Sequence, residues 1–235
     1  MNIVLASYNI HRCIGMDGRY DIERVIEVIR GLDADVIALQ EVGFPRGGPG
    51  ADLLDLIAHE TGTTPIAGPT LYAETGHYGN ALLTRAEVLA VRRFNLAQTG
   101  REPRGALDVD LACKGMRFQV VATHLGLAPF ERRNQIRRLL TLFHGGGSPA
   151  ALLGDFNEWL PWGRPLRWMH RFFGRPPAPA TFPAIFPVLS LDRVWVHPLR
   201  ALRAIEAIKT RLTRQASDHV PVRARVEWME EGPRG

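Results

Sequence analysis

Cysteine is nearly absent from this chain. Cys13 and Cys113 are the two thiols among 235 residues, too few for a disulfide framework. Both lie in or beside apolar segments, where a free thiol packs as a small hydrophobe. A thiolate–imidazole set of the kind that holds zinc is also missing. No apolar run approaches the ~20 residues of a membrane-spanning helix. The N-terminal MNIVLASYNIH has no basic stretch and no cleavage site of a secretion signal, so it is read as a strand and the expected location is cytoplasmic. No linker of domain-separating length and no short-period repeat interrupts the sequence. One domain over residues 1–228 is expected, with a charged, Gly/Pro-containing frayed tail at 229–235.

What is present is ordinary for a soluble globular domain: 46% hydrophobic and 23% charged residues, enough for a core without staples. The net charge of +5 suits a polyanionic partner, whether nucleic acid, an anionic membrane or a phosphorylated molecule, without choosing among them. No protein partner is evident.

Short apolar runs alternate with helical patterns. Ile3–Asn9 reads as a strand. Asp21 caps a helix whose Ile22, Val25, Ile26 and Ile29 keep 3.6-residue spacing, and Gly31 is expected to close it. Residues 35–39 form a near-continuous apolar strand, and Asp52 starts a second helix that stops at Gly62. Strands follow at 80–84, 88–94, 106–111 and 117–123, then a helix over 130–143. Its Arg132, Arg133, Arg137 and Arg138 are read as a solvated face. Gly145-Gly146-Gly147 is a loop. No Lys-Ser/Thr pair follows it, so it is not a phosphate cradle. Strands at 150–153, 191–196, 201–208 and 220–226 complete the pattern, with an irregular stretch between Glu158 and Pro187. Early helices in both halves and strands elsewhere predict an α/β sandwich in which helices cover packed sheets.

Polar residues stand where these strands end: Asn9, Glu41, His124, Asp155 with Asn157, and Ser217-Asp218-His219. Each alone is a common turn or surface residue. Together and in order they are what metal-assisted phosphoester hydrolysis requires. Mg²⁺ (or Mn²⁺) prefers oxygen ligands, for which Glu41 and Asn9 are the candidates. Asp218 is expected to orient His219 as a general base. Asp155 holds water, while Asn157 and His124 donate hydrogens to phosphate oxygens.

The ordered set YNIH, LQE, YGNALLT, PRGAL, THL, GDFN, LDRVWV and SDHVP resembles the endonuclease/exonuclease/phosphatase superfamily, the deoxyribonuclease I-like fold, from Asn2 to about Val226. The resemblance implies a four-layer α/β sandwich, two mixed β-sheets face to face with helices outside. It implies Glu41 as principal metal ligand with Asn9 nearby, and His124 and His219 flanking the scissile phosphate. Asp218 would support His219, Asp155 and Asn157 would place water and phosphate, and Asp192 would lie beside the phosphate or His124. Asn80 and Arg104 would be supporting residues behind them. Three activities fit: a phosphodiesterase on a lipid headgroup or small phosphoester, a DNA or RNA nuclease, and a non-catalytic phosphate- or membrane-binding module. The stretch from Trp159 to Pro187 interleaves aromatics with arginines. It suits the headgroup region of an anionic bilayer, stacking on bases, or capping of the core. In the bilayer reading, Trp168–Phe173 forms a short amphipathic helix at the membrane.

Overall fold

The computed structural model describes residues 2–45, 53–73, 76–143 and 148–229. Residues 144–147, with the Gly145-Gly146-Gly147 loop, and residues 230–235, most of the expected tail, lie outside them. The first sheet is built from β1 (Asn2–Asn9), β2 (Val36–Pro45), β3 (Thr64–Ala73), β4 (Gly76–Thr84), β10 (Leu202–Ala207) and β11 (Val222–Glu227), in the order β10-β11-β1-β2-β4-β3. The second contains β5 (Glu87–Asn95), β6 (Gly105–Cys113), β7 (Met116–His124), β8 (Ala150–Asp155) and β9 (Asp192–His197), ordered as in the chain. Each sheet has one parallel pair at its centre. β1 joins β2 through helix α1 (Ile22–Leu32), and β7 joins β8 through α3 (Pro129–Leu140). The other pairs are antiparallel. The sheets are therefore mixed, as the resemblance implied.

Period-two alternation sorts the strand residues into layers. Leu5, Val36, Ala38 and Leu82 of one sheet meet Val109, Val120, Leu153 and Val194 of the other in a fully buried inter-sheet core. The opposite face of the first sheet, with Tyr8, Ile37, Leu39 and Leu83, packs under α1 and α2 (Leu53–Thr61). The opposite face of the second, with Val121, Leu152 and Trp195, packs under α3 and α4 (Arg164–Phe173). Four layers result, and each fully buried aliphatic side chain contributes roughly 1.5–3 kcal/mol.

Helix α1 starts where the sequence places it, with the Asp21 carboxylate accepting from the Arg24 amide. It ends at Asp33 in the left-handed region (φ 42°), not at Gly31. Leu32, 1% exposed, is needed by the core, and Asp tolerates that conformation. β3 went unread because Pro65 and Pro69 argue against a strand. It lies at a sheet edge, where proline is tolerated. The six-residue helix α5 (Arg211–Ala216), opened by a Thr210–Thr213 capping box, is too short to show a period. The stretch after Glu158 is less irregular than expected. It contains α4, with Leu166, Met169 and Phe173 in the core. Trp168 lies against the same cluster under the Arg137 guanidinium, 4.7 Å from its ring centre, while Phe172 is exposed; Trp168–Phe173 is thus helical as expected, with one face in the core. Arg132 is likewise no part of a solvated face; it is fully buried and paired with Glu158.

Candidate active site

The inter-sheet core turns polar at one end of the sandwich. Asn9, Asn80, His124, Asp155 and Asp192 occupy the same alternating faces as Leu5, Leu82, Val120, Leu153 and Val194, one or two pleats further along. All five are buried. Both parallel pairs deliver their carboxyl ends here, and β9 enters antiparallel, so that Asp155 stands beside His124 on one neighbour and opposite Asp192 on the other. Two carboxylates directly across a ladder repel; this end of the fold requires a compensating cation or proton.

Glu41 reaches the cluster by a different device. The β2–β4 register shifts between Leu39 and Val42, and Glu41 sits in that bulge with φ 58°. A bulge re-aims one side chain, and a non-glycine residue in the left-handed region costs on the order of 1–3 kcal/mol. Asn157 adopts the same region, with φ 49°, at lower cost, because asparagine tolerates it. Asn9 links the two carboxylates: its Nδ2 donates to Glu41 Oε1 (3.2 Å) and Asp155 Oδ2 (3.1 Å). The His11 amide donates to Asn9 Oδ1 (3.0 Å), which fixes that orientation. Of the two ligands expected from sequence, Glu41 therefore presents oxygen, and Asn9 acts as a donor that holds Glu41 and Asp155 together.

The histidines differ in state. His219 Nδ1 donates to Asp192 Oδ2 at 2.7 Å, and its Nε2 lies 3.8 Å from Asp155 Oδ2. Burial works to lower its pKa, but the charges of Asp192 and Asp155 and the hydrogen bond to Asp192 outweigh it and raise the value to about 10. Asp218 is not its partner, contrary to the reading from SDH. The Asp218 carboxylate turns toward His11, 3.8 Å away, while its carbonyl accepts from the Ala184 amide. His124 Nδ1 faces the Arg104 guanidinium at 3.0 Å. Arginine can only donate, so this nitrogen is the acceptor and Nε2 carries the hydrogen, aimed at Asp155 Oδ2 3.4 Å away. Burial pushes the His124 value down to about 3, with Arg104 and His219 adding to the effect against Asp155. His124 is thus a neutral donor.

Asn157 Nδ2 donates to the Leu125 carbonyl and its backbone N–H to Asp155 Oδ1; with the hydrogen on His124 Nε2, the 3.1 Å approach of Asn157 Nδ2 to that nitrogen brings two donors side by side with no hydrogen bond between them. Asn80 donates to the Gly105 carbonyl and does not enter the cluster. Sequence reading missed Tyr78 and Arg12. Tyr78 is two residues before Asn80 on β4, and burial and the charge of Glu41 hold its hydroxyl protonated. The Arg12 guanidinium lies 4.6 Å over its ring. Alternation back from Asn80 would have pointed to Tyr78; nothing in the sequence points to Arg12.

The donor set fits a hard divalent cation. Asp155, Asp192 and His219 bring ligand atoms within 4.8 Å of one another, but the raised His219 value keeps both ring nitrogens protonated. Oxygens remain: Glu41, Asp155, and the buried Asp192 Oδ1, which has no hydrogen-bond partner. Such orphaned carboxylate oxygens suit Mg²⁺ or Mn²⁺.

A family model for the endonuclease/exonuclease/phosphatase family matches residues 6–219. The chain belongs to that family. Among curated proteins it is similar to the uncharacterised YbhP of Escherichia coli (strain K12), with 28% identity over 239 residues and 93% of each chain covered. Among solved structures it resembles the endonuclease/exonuclease/phosphatase from Bacteroides vulgatus (TM-score 0.79, 19% identity, 97% of this chain and 100% of that one). It also resembles a mannosyl-6-phosphatase of Bacteroides thetaiotaomicron VPI-5482 (TM-score 0.74, 18% identity, 94% and 98%). These two likenesses show a shared fold, the deoxyribonuclease I-like sandwich.

Proposed function

We propose that the protein is a divalent-metal-dependent phosphoesterase that hydrolyses a phosphodiester, of a lipid headgroup or a small molecule, by attack of water. The observation that carries this reading is the convergence of Glu41, Asp155 and the Asp192–His219 pair on one polar end of the core, with His124 and Asn157 as neutral donors beside them. Glu41, with oxygens of Asp155 and Asp192, would hold the cation. Bound there, Mg²⁺ would offset the charge on the phosphoryl oxygens and acidify a water. The protonated His219 supplies a proton and a positive partner for a phosphoryl or leaving oxygen. Asp192 fixes its orientation. His124 Nε2–H and the Asn157 amide donate to phosphoryl oxygens without adding charge. Asp155, held by Asn9 and by the Asn157 backbone, is the acceptor placed to take a proton from the attacking water.

The test is hydrolysis of bis-p-nitrophenyl phosphate. EDTA should abolish it and Mg²⁺ or Mn²⁺ should restore it, with Glu41→Gln raising the metal concentration required. Undiminished turnover in EDTA, or none with any divalent cation, would overturn the reading.

A further inference from the structure

Three loops leave the strand ends that carry the site, and each exposes apolar side chains at its tip. After β7 come Leu127 and, at the start of α3, Phe130. After β8 come Trp159, Leu160 and Trp162. Before β9 come Ile185, Phe186 and Val188. One residue from each loop, Leu127, Trp162 and Phe186, is 68–74% exposed. Such side chains cost solubility and mark contact surfaces when they gather.

These tips are held, not loose. The buried Arg132 donates to the Gly126 and Leu127 carbonyls and, through Nε, to Glu158 Oε2 (3.2 Å). Glu158 Oε1 accepts from the Leu160 amide. One ion pair thus clamps the first two tips together. Arg214 donates to the Ile185 carbonyl, and the Ala184 amide donates to the Asp218 carbonyl. Phe182 of the same loop packs its ring 4.8 Å from that of His219. The third tip is therefore fastened to the catalytic side.

Cationic side chains flank the first two tips. From Trp159 to Leu191 the sequence contains four arginines and neither Asp nor Glu; Arg164 and Arg167, in the first turn of α4 directly after the second tip, are exposed, while Arg171 and Arg175 stand at the other end of that helix. At the first tip, the Arg101 guanidinium lies 5.2 Å over the Phe130 ring. Apolar tips in a cationic surround match a surface with anionic headgroups over hydrocarbon. Nucleic acid is the poorer fit. Base stacking needs aromatic faces, whereas Leu127, Leu160, Ile185 and Val188 offer none. No helix among the described residues is long and apolar enough to cross a membrane; the association in question is peripheral.

We infer that these three loops seat the protein on an anionic lipid bilayer, with the site facing the headgroups, so that its substrate is a phosphodiester of a membrane lipid. The substrate clause rests on the phosphodiesterase reading above; the bilayer contact does not. The test uses the full chain, vesicles of phosphatidylcholine alone or mixed with phosphatidylglycerol, and the variant Trp159→Ser/Trp162→Ser, whose exposed positions leave the melting temperature unchanged. Wild type should sediment with the phosphatidylglycerol vesicles and shift its tryptophan emission to the blue, and should stay in solution with phosphatidylcholine alone. The variant should partition about tenfold less or weaker still, cleave vesicle phospholipid more slowly, and turn over soluble bis-p-nitrophenyl phosphate at the wild-type rate. Equal recovery on both vesicles, recovery on neither, or an unchanged variant would overturn the inference. Single-stranded oligonucleotide binding lost in the same variant would transfer the surface to nucleic acid. Failure to cleave the soluble diester would count against the phosphodiesterase reading alone, since sedimentation is scored separately.

Discussion

Asp218 precedes His219 in the chain, yet its carboxylate lies 3.8 Å from His11 Nδ1 and leaves the imidazole to another acid. Ser217 is extended (φ −154°, ψ 168°), and Asp218 and His219 follow it in a bend; Asp192, on the adjoining sheet, makes the 2.7 Å bond to His219. Asp192→Asn should reduce kcat by about 10²-fold or more, the range of general acid–base assistance. It should also bring the alkaline limb of the pH–rate profile to lower pH, because the charge that raises His219 is removed. Asp218→Asn should stay within about threefold of wild type by the same measure, and the reverse order of effects would sink this assignment. Arg104 acts on the other histidine. Arg104→Leu should let His124 populate the Nδ1–H form, visible as a change in its imidazole ¹⁵N shifts; an unchanged tautomer would contradict the role given to the guanidinium. The site residues themselves were legible as polar groups closing apolar strands. Their pairings were not. His219 with Asp192, His124 with Arg104 and Arg132 with Glu158 are separated by 27, 20 and 26 residues, and each depends on how strands and loops are laid side by side.

Elements were legible where their period was clean. Central strands are near-continuous apolar runs and α1 keeps 3.6-residue spacing, whereas β3 is obscured by prolines that only an edge position permits. α4 looked irregular because Trp, Arg and Pro crowd its sequence, yet it covers the second sheet beside α3. The Arg132–Glu158 pair joins α3 to the turn before α4 with both side chains almost fully out of solvent. Leaving one buried charge alone costs about 3–5 kcal/mol, whereas replacing both partners with apolar residues is often near neutral. Arg132→Met should therefore lower the unfolding free energy by about that amount in urea titrations. Arg132→Met/Glu158→Leu should recover most of the loss. A double variant as unstable as the single one would mean that the arginine acts through its bonds to the Gly126 and Leu127 carbonyls instead. Gly154 imposes a second local rule at the end of β8. Its φ is 154°, and an added Cβ would fall 1.9 Å from the Thr123 carbonyl oxygen, so Gly154→Ala should disturb the β7–β8 ladder that sets Asp155 beside His124. Loss of activity with a lowered melting temperature is the expected outcome, and a fully active, equally stable variant would refute the steric argument.

For the molecule as a whole, two buried histidines of opposite character shape the dependence of stability on pH. His219 is raised to about 10 from an ordinary 6.5, and His124 is lowered to about 3 from the same starting point. Linkage gives the signs. The folded state holds the His219 proton more tightly than the unfolded chain does, so its contribution is complete below 6.5 and is lost as pH rises through about 10. The folded state refuses the His124 proton that the unfolded chain accepts, so stability is lost as pH falls from 6.5 toward about 3. The two limbs meet near 6.5, where the pair contributes most. In EDTA, so that no cation competes for the carboxylates, the melting temperature should peak close to that pH and fall on both sides. His219→Gln should flatten the alkaline limb and leave the acid one, and His124→Gln should do the converse. Limbs that neither variant flattens would show that the slopes arise from the general charge of a basic protein and not from these two rings.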